Sequence, residues 1–177
     1  MKHAHIINLN SMKVLRSLMM IGLSILFFMQ VSAQSSSINF SGNWALNESK
    51  SKFGDGPFRM ASTTLVVKQD GNTLSDDRTM PGPDGEMKMT TKYTLDGKVC
   101  ENTGMMDMKS KSIVSWSEDK TSITIATTMI FDMNGESREL KSTEIWKLGD
   151  AGKSLTIEAT NPTPDGEMKT TAVYDKK

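Results

Sequence analysis

Histidine and cysteine are nearly absent from this 177-residue chain. Its two histidines are His3 and His5, and its one cysteine is Cys100. A domain formed by the residues after the first 33 therefore has no histidine, which excludes nucleophile–histidine arrangements and histidine metal sites within it. A single cysteine cannot form an internal disulfide, so the core alone must hold such a domain together. These absences argue against an enzyme.

The first 33 residues have the composition of a secretory signal peptide. Lys2, Lys13 and Arg16 precede an apolar run over residues 18–31, and Val31-Ser32-Ala33 forms a small-x-small cleavage site. The apolar run is shorter than the roughly 20 residues of a membrane-spanning helix, so we expect cleavage and no remaining membrane span. The sequence thus predicts a signal peptide over residues 1–33, one domain over residues 34–177, and a periplasmic or secreted protein.

The charge balance does not indicate a nucleic-acid partner. The chain has 21 basic and 21 acidic residues, and removing the three basic residues of the leader leaves 18 basic against 21 acidic. Nucleic-acid-binding proteins usually carry a basic patch or stripe. No phosphate, nucleotide or flavin motif is present, and Asp76 and Asp77 cannot act as an acid–base pair because neighbouring strand residues point to opposite faces. We expect a monomer with no cofactor.

Short alternating segments separated by turn residues fill the chain after residue 38. Residues 39–46 alternate around Trp44 with the period of two that is typical of a strand with one buried face. A loop with a helical turn is predicted for residues 47–61. Asp-Gly or Asn-Gly pairs at 70–71, 84–85, 96–97, 134–135 and 165–166 favour tight hairpins. Further strands are predicted at residues 63–69, 73–80, 86–95, 98–102, 109–116, 121–132, 136–148, 154–160 and 167–175.

About ten strands joined by tight turns predict an all-β protein with an antiparallel up-and-down meander. Ten twisted strands must either split into two sheets or close on themselves. Closure removes exposed strand edges, and no long Greek-key connection is evident. A barrel is therefore favoured over a sandwich with two open edges.

One segment of the chain occurs twice. Residues 81–93 read Pro-Gly-Pro-Asp-Gly-Glu-Met-Lys-Met-Thr-Thr-Lys-Tyr, and residues 162–174 read Pro-Thr-Pro-Asp-Gly-Glu-Met-Lys-Thr-Thr-Ala-Val-Tyr. The four carboxylates of the two loops could form a rim for a divalent cation, but a calcium loop normally gathers more oxygen ligands in one short segment. We interpret the repeat as one hairpin geometry used twice.

A Gly-x-Trp motif on the first strand resembles the signature of lipocalins and the wider calycin group. It lies in Phe40-Ser41-Gly42-Asn43-Trp44-Ala45-Leu46-Asn47. The longer string through residue 54 resembles small exported bacterial proteins described as lipocalin-like, and residues 93–97, 144–148 and 152–156 agree with that pattern. About ten strands are also similar to the fatty-acid-binding branch of calycins. The resemblance implies a lipocalin-like or fatty-acid-binding-protein-like barrel that holds a small hydrophobic or amphipathic molecule.

The same resemblance implies a position for Trp44. In lipocalins this tryptophan packs across the closed end of the barrel, often beneath an arginine of the last strand. Here the last strand offers Lys169, Lys176 and Lys177 instead. We expect Trp44 to be buried at one end of the barrel and to face inward with Phe40 and Leu46.

Alternation assigns one face of each strand to the lumen and so gives candidate ligand contacts. An inward arginine suits a ligand carboxylate because its planar fork can bind two oxygens. Arg78 and Arg138 are candidates, although Arg138 has a neighbouring glutamate with which it could pair in solvent. The predicted ligand-binding residues are Arg78, Met87, Met89, Tyr93, Trp116, Met129, Arg138, Leu140 and Trp146. The alternative is a barrel filled by these side chains, which would serve as a structural or envelope-interaction module without a small-molecule ligand.

Methionine is abundant, with 15 residues in the chain. Gly104-Met105-Met106-Asp107-Met108 lies near Cys100 in sequence, and Met87-x-Met89 lies on an adjacent predicted strand. Soft sulfur ligands such as these suit monovalent copper. Methionine is also a flexible filler of irregular apolar space and of promiscuous pockets. We favour the second interpretation, so no metal is predicted.

Overall fold

A computed structural model of the chain describes residues 38–54, 61–82, 84–104, 108–133, 136–164 and 166–177. The predicted signal peptide lies outside these residues. Each predicted strand is confirmed, with bounds that differ by three residues at most. The strands are β1 Gly42–Leu46, β2 Thr64–Asp70, β3 Thr73–Gly82, β4 Gly85–Thr94, β5 Val99–Thr103, β6 Lys109–Trp116, β7 Ser122–Met133, β8 Glu136–Gly149, β9 Ser154–Thr163 and β10 Gly166–Lys176. Two single-turn 3₁₀ helices, Glu48–Lys50 and Asp150–Gly152, lie in connections. The first of them is the helical turn predicted within residues 47–61.

The ten strands form one antiparallel sheet with the order β4-β3-β2-β1-β10-β9-β8-β7-β6-β5. Strands that follow one another in sequence are neighbours, apart from β4 and β5, and β1 pairs with β10. This is the predicted up-and-down meander. The two strands at the ends of the order, β4 and β5, approach each other, so the sheet forms a nearly closed barrel.

Side-chain hydrogen bonds join β4 to β5 along this seam. Asn102 Oδ1 accepts from the Lys92 backbone N–H at 2.9 Å, and Asn102 Nδ2 donates to the Lys92 carbonyl at 2.9 Å. Nearer the β4–β5 turn, the Thr94 backbone N–H donates to Cys100 Sγ at 2.9 Å. The described residues of β4 and β5 share no backbone ladder, so two side chains of β5 hold the seam.

Aromatic side chains close one end of the barrel, which we call the closed end. Phe40 and Trp44 are buried, with exposed fractions of 0% and 1%, and Trp44 Nε1 donates to the Phe40 carbonyl at 3.1 Å. The Phe40 ring lies 6.2 Å from that of Trp116 and 6.0 Å from that of Trp146. The predicted inward position of Trp44 at one end of the barrel is therefore confirmed.

Steric crowding explains why glycine occupies position 42 in the Gly-x-Trp motif. A Cβ atom at Gly42 would lie 3.2 Å from the Trp44 indole and 2.8 Å from Lys176 Cε. Lys176 Nζ lies 5.2 Å from the centre of the Trp44 ring, within the range of a cation–π contact. A lysine of the last strand thus covers the tryptophan, and glycine leaves room for both side chains.

The hairpins of a meander alternate between the two ends of the barrel. The β2–β3, β4–β5, β6–β7 and β8–β9 connections lie at the closed end, and the β3–β4, β5–β6, β7–β8 and β9–β10 hairpins lie at the opposite end. Both copies of the internal repeat form hairpins at this opposite end, which we call the repeat end. Gly85 and Gly166, at matching positions of the repeat, have φ values of +131° and +133°. One turn geometry is used twice, as predicted.

Candidate ligand-binding lumen

Most inward-facing side chains are buried near the closed end, and most are half-buried towards the repeat end. Trp116 and Leu148 near the closed end are half-buried, and Ser112 and Thr170 in the other half are buried. Along β4, Tyr93 is 6% exposed, whereas Met89 and Met87 are half-buried. Along β7, Ile123 and Ile125 are buried, and the inward positions that follow are half-buried. The half-buried inward residues are Met80, Met87, Met89, Thr91, Thr127, Met129, Phe131, Leu140, Ser142, Ala159, Asn161 and Met168. Solvent therefore reaches the half of the lumen towards the repeat end, which we call the upper lumen.

A salt bridge between Arg78 and Glu144 forms the floor of the upper lumen. Arg78 Nη1 and Nη2 donate to Glu144 Oε1 and Oε2, both at 2.8 Å, in a bidentate arrangement. Arg78 lies on β3 and Glu144 on β8, and four strands separate β3 from β8 in either direction around the barrel. The bridge therefore connects opposite walls across the lumen. Their side chains are 13% and 24% exposed, because they lie at the boundary of the accessible half.

Asp76 adds a second carboxyl group to this floor. Arg78 Nε donates to Asp76 Oδ2 at 2.7 Å, and the Asp76 side chain is fully buried. Asp76 Oδ1 has no hydrogen-bond partner among the described residues, and no other buried side-chain nitrogen or oxygen there shares this state. The floor therefore contains one guanidinium, two carboxyl groups and one unsatisfied oxygen.

Trp146 holds Glu144 from the closed-end side. Trp146 Nε1 donates to Glu144 Oε2 at 2.8 Å, and the Arg78 guanidinium carbon lies 5.6 Å from the centre of the Trp146 ring. Trp146 has no exposed surface, so its orientation is fixed by the core. A rigid indole thus fixes both charged partners in place.

Burial and pairing act in opposite directions on the pKa values of the floor. Burial raises the pKa of Asp76, and the nearby positive charge of Arg78 only partly offsets this effect. Burial also acts to raise the pKa of Glu144, but the charge and hydrogen bonds of Arg78 outweigh it, so that pKa lies below its usual range. Burial raises the pKa of Tyr93 well above its ordinary value, with a further contribution from the Asp76 charge. Glu144 and Arg78 therefore form the tightly held ion pair, and Asp76 is the surplus carboxyl group.

A cavity of about 980 Å³ lies beside the β5–β6 and β7–β8 hairpins at the repeat end. Its wall combines inward residues of β6 and β7, Ser110 and Phe131, with outer-face residues of the same strands such as Lys111 and Ile130, so it is a partly open cavity at the rim of the barrel. Its volume is at the upper end of the range of small-molecule pockets, roughly 300–1,000 Å³. The repeat end thus offers space for a ligand next to the upper lumen.

A second cavity, of about 550 Å³, follows the seam between β4 and β5. Leu74, Tyr93 and Cys100 line it from the inward side, and Thr94 and Lys92 line it from the outer face. The seam therefore has free volume where the backbone ladder is absent.

The structure places the predicted ligand-binding residues in the upper wall, at the floor and at the closed end, with Arg138 exposed outside all three. Met87, Met89, Met129 and Leu140 are half-buried in the wall of the upper lumen. Tyr93 and Trp146 are buried at the floor, and Trp116 packs on Phe40 at the closed end. Arg78 faces the lumen, but its guanidinium already pairs with Glu144 and Asp76. Contact of these residues with a ligand stays a prediction.

Arg138 differs from the predicted inward arginine. Its side chain is 59% exposed near the β7–β8 hairpin, and Nη2 lies 3.4 Å from Glu136 Oε2 on the same strand. This is the alternative in which Arg138 pairs with a neighbouring glutamate in solvent. The end of β8 extends beyond the enclosed part of the barrel, so alternation alone does not place its side chain inside.

Neither Asp76 nor Glu144 is among the predicted ligand-binding residues. A signal was available, because Asp76, Arg78 and Glu144 all occupy inward positions of predicted strands. Inward charges of opposite sign on two strands favour a pair, since an unpaired buried charge is costly. Which strands face each other across the barrel depends on its closure, and alternation does not specify this.

The described residues bear on only part of the two metal hypotheses. Those residues contain no group of three or more His, Cys, Asp or Glu side chains that could hold a metal ion. Cys100 pairs with Ser112 of β6, whereas Met108 lies four residues further along the hairpin, about 13 Å away at strand spacing. Cys100 and Met108 therefore do not share a site, and Met105, Met106 and Asp165 lie outside the described residues. No helix among the described residues has the length and apolar character needed to cross a membrane.

Comparison with protein-family models and with curated proteins finds no match to this chain. Among solved structures, the chain is similar to zebrafish ileal bile acid-binding protein, crystallised in complex with cholic acid. The TM-score is 0.54 with 18% sequence identity, and the match covers 78% of this chain and 98% of that one. At this identity the similarity shows the fold alone: a nearly closed, ten-stranded antiparallel barrel of the type found in bile-acid- and fatty-acid-binding proteins.

Proposed function

We propose that this protein is an exported, non-catalytic binding protein that holds a small hydrophobic or amphipathic molecule in its upper lumen. The observation that carries the proposal is the gradient of exposure along the barrel axis. Most inward side chains above the floor are half-buried, apart from the buried Ser112 and Thr170, whereas most of those below it are buried. A barrel with a filled core would bury its inward residues along the whole length.

The chemistry of the upper wall supports an apolar ligand. Met80, Met87, Met89, Met129 and Met168 are all inward and half-buried. Methionine side chains are flexible and polarisable, so they adapt to ligands of varied shape. The zebrafish barrel of the same type was crystallised with cholic acid, which supports a small-molecule ligand for this fold.

Export is supported by the sequence of the first 33 residues, with their basic start, short apolar run and small-x-small site. We expect the mature protein to begin at Gln34 in the periplasm or the medium. Intact-mass measurement on protein purified from its own host checks this start. A mature protein that retains residues 1–33 would contradict it.

Two measurements test ligand binding. Native mass spectrometry of the protein from its own host should show a retained small molecule, and Nile red should bind with a rise in fluorescence that apolar compounds reverse. Ala159→Trp fills the upper lumen from β9 and should abolish Nile red binding. Ala126→Trp adds the same side chain to the outer face of β7, where residue 126 is exposed, and should leave binding unchanged. Equal binding by both variants would place the dye elsewhere and contradict the proposal.

One observation favours the alternative of a structural or envelope-interaction module. The Arg78–Glu144 bridge crosses the lumen and limits the depth that a ligand can reach. A native mass without a bound molecule, together with no Nile red binding, would support this alternative.

A further inference from the structure

We infer that the upper lumen selects amphipathic molecules with a cationic head group, such as a long-chain ammonium, over molecules with a carboxylate head. This inference rests on the proposed function, because it specifies the polar end of the ligand held in the same lumen. It is carried by the charges on the floor and by the unsatisfied oxygen of Asp76.

Among the described residues, the floor has no positive charge left for an anionic head. All three nitrogens of the Arg78 guanidinium already donate to carboxylate oxygens, one to Asp76 and two to Glu144. A ligand carboxylate would have to displace Glu144 from a bidentate pair, or else lie as a third acid group beside two others. Both arrangements are costly in a region removed from water.

The floor instead has an excess of acceptors. Asp76 is fully buried and its Oδ1 has no partner among the described residues, so this second carboxyl group is not fully compensated. Glu144 is 24% exposed and is the member of the cluster that is most accessible from the upper lumen. When Asp76 is ionised, an ammonium group above Glu144 would meet two negative charges and one guanidinium, and it would restore the charge balance. Asp76 contributes to this attraction through its charge rather than through contact.

The positive charge of Arg138 does not change the balance of charges at the floor. Arg138 also occupies an inward position of a described strand, but it lies exposed near the β7–β8 hairpin beside Glu136. Solvent screens such an exposed pair, so Arg138 does not supply a positive field at the floor.

Displacement of Nile red from the full chain by three probes of equal chain length tests the inference. The probes are dodecylammonium, dodecanol and dodecanoate, each used below its critical micelle concentration. We expect dodecylammonium to bind about tenfold more tightly than dodecanoate, or more, with dodecanol between them. Equal or tighter binding of dodecanoate would overturn the inference and leave the proposed function intact. No binding of any probe, with no Nile red binding, would instead remove the proposed function.

Variants that remove one charge each test which residues cause the preference for the ammonium head group. Asp76→Asn and Glu144→Gln each remove one acid group from the floor and should reduce the preference for the ammonium about tenfold. Asp77→Asn makes the same change in net charge at an exposed side chain, which accepts from Thr90 Oγ1 on the outer face, and should leave the preference unchanged. Circular dichroism identifies any variant that fails to fold, and the second floor variant then provides the test. A preference that persists in a folded floor variant would overturn the assignment of the site.

Discussion

The side-chain amide of Asn102 on β5 forms hydrogen bonds to both the backbone N–H and the carbonyl of Lys92 on β4, each at 2.9 Å. It occupies the position that a backbone amide would have in a strand ladder. Since β4 and β5 share no ladder within the described residues, this one side chain replaces two ladder bonds. The barrel is thus closed by sequence-specific chemistry at the seam and by ordinary backbone pairing around the rest of its circumference.

Replacing Asn102 should loosen the seam locally. Asn102→Ala removes both bonds and should cost about 1–2 kcal/mol of unfolding free energy, since each typical bond contributes roughly 1 kcal/mol. The Lys92 amide loses its acceptor, so its hydrogen exchange should accelerate more than that of other β4 amides. Exchange measured by NMR checks this. Glu101→Ala, an exposed neighbour on β5, is the matched control, and unchanged protection of Lys92 in Asn102→Ala would contradict the interpretation.

Loss of the cation from the floor should destabilise the fold far more than loss of one carboxyl group. Arg78→Met leaves two buried carboxyl groups near each other without a cation and should cost about 3–5 kcal/mol. Asp76→Asn leaves Arg78 and Glu144 as a balanced pair, and Asn can still accept from Arg78 Nε, so its cost should be well below half of that. Urea denaturation at pH 7 measures both. Equal destabilisation by Asp76→Asn and Arg78→Met would contradict the interpretation that Asp76 is a carboxyl group in excess of the Arg78–Glu144 pair.

The two carboxyl groups should change stability in opposite directions with pH. The pKa of Glu144 is lower in the folded state than its ordinary 4.5, so its ionisation contributes stability above pH 4.5, and this is lost as the pH falls through the folded value. The pKa of Asp76 is raised above 3.8, so its ionisation costs stability, and this cost grows as the pH rises from 3.8 through the folded value.

Melting temperatures between pH 3 and pH 8 test these signs. Relative to the unmodified protein, Asp76→Asn should gain stability as the pH rises, and Glu144→Gln should lose it. The stability difference between each variant and the unmodified protein should become constant at low pH, where the floor carboxyl groups are protonated in the folded and the unfolded state. Parallel curves for the two variants would contradict the opposite directions of the two pKa shifts.

The strands and the barrel could be predicted from the sequence because each depends on local patterns. Alternation around Trp44 and in the later segments fixed which residues face inward, and the Asp-Gly and Asn-Gly pairs indicated the hairpins. The seam could not be predicted in this way. Residues 98–102 alternate like any other strand, and the role of Asn102 depends on how closely β5 approaches β4.

The candidate site was predicted only in part, for a related reason. Alternation placed Arg78 and Glu144 on inward faces, but their pairing depends on β3 and β8 lying opposite each other in a ten-stranded barrel. The stagger of the strands then sets which depths match across the lumen. Which strands lie opposite each other and how they are staggered are properties of the closed sheet as a whole. The pairing of Arg78 with Glu144, rather than with a ligand, therefore appears only in three dimensions.

The Gly-x-Trp motif gives a last prediction, about the closed end. Gly42→Ala places a Cβ atom 3.2 Å from the buried Trp44 indole and 2.8 Å from Lys176 Cε. The lysine can move, but the indole is held by the core and by its bond to the Phe40 carbonyl, so we expect a loss of about 1–3 kcal/mol, the usual cost of overpacking. Asn43→Ala changes the exposed face of the same strand and should cost less. The double variant Gly42→Ala with Lys176→Ala separates the two contacts, because recovery of stability in it would show that the lysine, not the tryptophan, requires the glycine. Chemical denaturation of the three variants and the unmodified chain provides the comparison, and we expect no recovery.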